Sequence, residues 1–89
     1  MDETAVLGEL EALAHGLGVE IRYEIMEGET SFSPGGMCIL RGKRIIFINE
    51  RSATSDRVKT MVKALKSFDL TGVYLRPALR DLMDDSHEI

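Results

Sequence analysis

Apolar residues recur at helical spacing at Val6, Leu10, Leu13 and Leu17, and Leu7 and Ala14 widen the stripe. This pattern predicts a helix over residues 4–16. Asp2 or Thr4 is placed to cap its first amides, and Gly16 and Gly18 supply a left-handed stop. Gly8 inside the helix costs about 1 kcal/mol relative to Ala and is read as a point of close approach by another element. The period then changes to two. Val19, Ile21, Tyr23 and Ile25 alternate with Glu20, Arg22, Glu24 and Met26, the signature of a half-buried strand over 19–26. Residues 27–36, rich in Gly, Ser and Glu, read as a mobile loop, with Phe32 pinning it to the core or exposed for binding.

Two further strands, 37–41 and 44–49, flank Gly42-Lys43, whose leading glycine suits a type II′ hairpin turn. Ile45, Ile46, Phe47 and Ile48 are apolar on both faces, so the last strand is expected at the centre of its sheet. A second helix is predicted over 54–67, capped by Ser52 or Thr54. Val58, Met61, Val62, Leu65 and Phe68 trace its apolar face, and Lys59, Lys63 and Lys66 form a basic stripe. Pro77 suits the first position of a short helix over 77–84; residues 85–89 read as a frayed tail. The order α-β-β-β-α-α, with strands grouped centrally, indicates an α+β single domain over 1–89 built on a three-stranded antiparallel sheet. Two helices cover one face of such a sheet well, and the other face is expected to need the tail or a second copy.

The chain's 89 residues allow one small domain with a modest core. Hydrophobic residues at 44% and charged residues at 29% place it among globular rather than disordered proteins. The net charge of -4 conceals a division along the chain. Residues 1–33 hold eight acids and one base, residues 34–80 ten bases and three acids, and residues 81–89 four acids. The one cysteine, Cys38, excludes an intrachain disulfide and a cysteine-only metal site. The acidic start, the absence of a long apolar run and the lone cysteine together suggest the reducing cytoplasm and no membrane span.

Chemistry is sparse. A hairpin running into an amphipathic helix is similar in outline to part of the bacterial zinc-peptidase fold, which carries His-Glu-x-x-His on that helix. Residues 57–66 hold neither histidine nor acid, and their lysines repel zinc. His15 and His87 read as surface or capping residues. Cys38 is expected to be a core cysteine, with activation by Arg41 and Arg44 as its alternative. Ser33-Pro34-Gly35-Gly36 leads into a strand and lacks the Lys-Ser/Thr pair of a phosphate loop; Gly-Gly instead lets the chain enter the hairpin at an unusual angle. Glu20 and Glu24 are expected to pair across strands with Arg41 or Arg44 rather than to act as an acid and base. No catalytic residue, cofactor or metal is indicated. The favoured expectation is a non-catalytic module that forms a homodimer or binds a protein partner, with Phe32, Met37, Ile39 and Tyr74 as interface candidates. The alternative is recognition of an anionic ligand or, less favoured, nucleic acid through the basic 41–66 segment, with Arg41, Arg44, Lys59, Lys63 and Lys66 as the contacts.

Overall fold

A computed structural model describes residues 2–25 and 35–85. Its elements are α1 (Glu3–Gly16), β1 (Glu20–Glu24), β2 (Gly35–Leu40), β3 (Lys43–Asn49), α2 (Thr54–Leu65) and α3 (Pro77–Asp85). The order and the α+β class are those expected. Phe32, most of the 27–36 loop, and residues 86–89 of the tail lie outside the described residues.

Both ends of α1 have a local cause. Asp2 caps α1, its carboxylate accepting from the Ala5 amide at 2.9 Å. At the other end Gly18 has φ 79°, the Val19 amide donates to the Ala14 carbonyl, and the Gly18 amide donates to that of His15. These two bonds are the Schellman pattern, and its accompanying apolar contact partner positions, Ala14 and Val19, are both buried. Neither Ser52 nor Thr54 caps α2. The N-cap is Ala53, which offers no side-chain bond; the Ser52 hydroxyl donates instead to the Asn49 carbonyl at 2.6 Å. The buried Asn49 side chain accepts from the Arg51 amide, so the tight turn after β3 takes up the Ser52 hydroxyl that the sequence offers for capping.

The sheet is mixed, which corrects the antiparallel expectation. Its order is β1-β3-β2, with β3 antiparallel to β2 and parallel to β1. β3 takes the expected central place. Ile45, Ile46 and Ile48 are all within 1% of complete burial, so β3 needs a neighbour on each side. The hairpin fills one side and β1 takes the other. Glu24 lies opposite Asn49 and Gly35 opposite Ile48, so β1 ends and β2 begins at the same end of β3. The hairpin turn is also shifted by one residue. Leu40 pairs with Lys43, and the loop is Arg41-Gly42, with φ 54° and 79°. Positive φ at both central residues is the type I′ requirement, not type II′.

The core lies between the helices and one sheet face. Leu7, Leu10 and Ala14 of α1 meet Val58, Met61, Val62 and Leu65 of α2, Leu79 and Met83 of α3, and Ile46 and Ile48 of β3. Fully burying a side chain of this size contributes about 1.5–3 kcal/mol. Gly8 is not a contact point: it is exposed, and a Cβ there would meet nothing within 4 Å. Gly35 is one. Its φ is 135°, and a Cβ would stand 2.0 Å from the Phe47 carbonyl oxygen. This is the unusual backbone angle expected of the Gly-Gly pair, and Gly35 alone carries it.

Candidate interaction surface

Strand alternation sorts the sheet residues onto two faces. Ile21, Tyr23, Met37, Ile46 and Ile48 share the helix side. Glu20, Arg22, Glu24, Cys38, Leu40, Lys43, Ile45 and Phe47 share the other, as their registers place Ile45 between Glu20 and Cys38. The core cluster that joins the helices takes in Ile46 and Ile48 but neither Ile45 nor Phe47. Among the described residues, no helix therefore packs on the outer face.

That face has an apolar centre and a charged margin. Ile45 is buried, with Glu20, Arg22, Leu40 and Lys43 around the same hollow. Phe47 is half-buried, and the Arg22 guanidinium stands 5.9 Å from its ring centroid. Leu40 is 51% exposed, and Cys38 is exposed rather than buried in the core. Cys38 does share the face of Leu40, but that face is not the one covered by helices. Glu20 binds the Arg22 side chain and also pairs with Lys43 Nζ at 3.4 Å. The Arg22 hydrogen bond outweighs the opposing effect of burial and, with the Arg22 charge and the Lys43 hydrogen bond and charge, holds the Glu20 carboxyl below its ordinary range. Its partners are thus Arg22 and Lys43, not Arg41 or Arg44.

Of the interface candidates, Met37, Ile39 and Tyr74 are among the described residues, and Met37 and Ile39 share one face of β2. Met37 is half-buried and packs against the core. Ile39 is 63% exposed, next to Leu40 near the hairpin tip. Tyr74, 79% exposed, lies in the segment between α2 and α3. Sequence periodicity missed Leu40 and Phe47 as surface-forming residues and Ile45 as the buried centre between them. The available signal was that β3 is apolar on both faces while the helices can cover only one.

The basic residues are divided. Lys59 and Lys63 line a hollow between β2 and α2. Arg41 and Arg44 line another beside Leu17, Gly18 and Phe68, where the Arg44 guanidinium lies 4.7 Å from the Phe68 ring centroid. Lys66 lines a third with Leu75 and Met83. The acidic and basic halves of the chain also meet within one copy. Glu20 pairs with Lys43, and Glu9 pairs with Arg76 at 3.0 Å. On the helix side Tyr23 donates to the Glu11 carboxylate and carries Arg57 against its ring, which ties β1 to both α1 and α2. Burial, reinforced by Glu11, pushes the Tyr23 hydroxyl up to about 12.

No group of three or more His, Cys, Asp or Glu among the described residues is arranged to hold a metal. No helix among them is long and apolar enough to cross a membrane. Comparison with known protein families, with curated proteins and with solved structures gave no match.

Proposed function

We propose that the protein is a non-catalytic interaction module that self-associates through the outer face of its sheet. The observation that carries the reading is the apolar pair of exposed Leu40 and half-buried Phe47, flanking the buried Ile45, on a sheet face with no helix over it. A sheet face of this kind is buried when two sheets stack about 10 Å apart. The margin suits a two-fold arrangement because it carries both signs, Glu20 and Glu24 beside Arg22 and Lys43. The face, rather than the β2 edge, is the favoured contact. Extending the sheet across that edge would bring the Lys59 and Lys63 hollows of two copies together, and their charges oppose it.

The size of the face sets the strength. Three strands about 4.8 Å apart and about six residues long project to roughly 300 Å². A standard interface buries about 800 Å² per partner, so the dimer belongs at the weak, transient end. Sedimentation of the wild type and of Leu40→Glu tests this. Leu40 is half-exposed, so the substitution places a charge on the face without opening the core. The wild type dimerises with rising concentration and the variant does not; equal behaviour of the two refutes the reading.

A further inference from the structure

We propose that the hollow between β2 and α2 is a binding site for a small amphiphilic anion, with an apolar body against Met37 and Ala64 and its anionic head between Lys59 and Lys63. The hollow has a volume of about 460 Å³, within the range of about 300–1,000 Å³ typical of small-molecule sites. Its floor is supplied by Met37, by Ala64 and by the bare backbone of Gly35 and Gly36. The close approach of Gly35 to Phe47 fixes that backbone.

The polar groups select for charge. Thr60 and Ser67 also line the hollow, but the Thr60 hydroxyl donates to the Asp56 carbonyl at 3.0 Å and the Ser67 hydroxyl to that of Ala64 at 2.7 Å. With both hydroxyl protons committed to the helix backbone, the side-chain donors left are the two ammonium groups. Lys59 and Lys63 stand one helical turn apart, where like charges repel, and neither enters an ion pair among the described residues. An anion between them relieves that repulsion. The basic hollow at the hairpin turn is the weaker case, because of its three cations Lys43 already pairs with Glu20 and Arg44 lies on Phe68, which leaves Arg41.

The test is a titration of the full chain, followed through its amide resonances, with 4-phenylbutyrate, its neutral alcohol 4-phenylbutan-1-ol, and acetate. Phenylbutyrate should move the Gly36, Lys59, Lys63 and Ser67 amides saturably. A charged hydrogen bond is strong enough that the alcohol should bind at least about tenfold more weakly, and acetate, lacking the apolar body, should leave those amides unmoved. Lys59→Gln with Lys63→Gln should abolish binding, while the paired Arg substitutions should retain it. Saturable shifts elsewhere, no saturable shift at all, equal binding of alcohol or acetate, or unchanged binding by the Gln variant overturns the proposal. The site lies on the helix side of the sheet, so this outcome is independent of self-association through the outer face.

Discussion

Gly35→Ala is the sharpest test of how β2 is held against β3. At φ 135° an L side chain is strained whatever the space around it, at a cost of about 1–3 kcal/mol. The new Cβ would also lie 2.0 Å from the Phe47 carbonyl oxygen and 3.0 Å from the Ile48 Cα. Both are backbone atoms of the central strand, so relief requires β2 to move away from β3. That movement weakens the pairing of Gly36 with Phe47 and of Met37 with Ile46. Together these effects amount to about 3 kcal/mol or more. A domain of this length has about 4–13 kcal/mol of stability in all, and each kcal/mol shifts Tm by about 4–8 °C. Gly36→Ala is the control. It neighbours the same strand end, has no positive φ, and its Cβ would meet nothing within 4 Å; it should change stability by less than about 1 kcal/mol. Urea unfolding followed by circular dichroism measures both. Equal destabilisation by the two alanines would refute the argument.

Other substitutions probe separate parts of the fold. Gly8→Ala adds a methyl group to an exposed helix position with open space around it, so it should stabilise the protein by about 1 kcal/mol in the same urea assay. Arg41 holds φ 54° in the hairpin turn; Arg41→Asn should raise stability by about 0.5–1 kcal/mol, and a loss would contradict the type I′ assignment. Tyr23 has a folded pKa of about 12, above its ordinary value of 10.0. The raised value favours the protonated hydroxyl in the folded state, so its contribution is complete below pH 10.0 and disappears as pH rises towards about 12. Thermal melts across that window should show a loss of stability that is smaller in Tyr23→Phe; identical slopes would contradict the assignment.

Much of the architecture is legible in the sequence because periodicity reports burial directly. The stripe Val6, Leu10, Leu13 and Leu17, widened by Leu7 and Ala14, identifies α1, the run Ile45–Ile48 identifies a central strand, and Pro77 marks the start of α3. Strand direction is different information. The alternation in 19–26 states which side chains share a face, but it is silent about whether β1 runs with or against its partner. Competition between β1 and β2 for the two sides of β3 sets their order, and the parallel direction goes with β1 ending at the end of β3 where β2 begins. The hairpin turn shows a similar limit, since Gly42 serves a type II′ turn at the first position or a type I′ turn at the second, one register apart.

The candidate surface was less legible for the same reason. Leu40 and Cys38 share a face in any register, but only the placement of α1 and α2 identifies that face as the one without a helix. The lysine stripe resolves into separate hollows because β2 packs beside Lys59 and Lys63, while Lys66 lies next to the segment leading to α3. Helical spacing contains no trace of those neighbours. The charge division along the chain is partly settled within one copy, through Glu20 with Lys43 and Glu9 with Arg76. The case for association therefore rests on the apolar face more than on opposite charge.

Sedimentation velocity over about 10 µM to 1 mM, the range of weak association, tests that case most directly. The wild type should pass from monomer towards dimer, Leu40→Glu should remain monomeric, and Lys59→Gln, on the other side of the sheet, should follow the wild type. A wild type that is monomeric throughout, or a dimer indifferent to Leu40→Glu, would contradict self-association through the outer face.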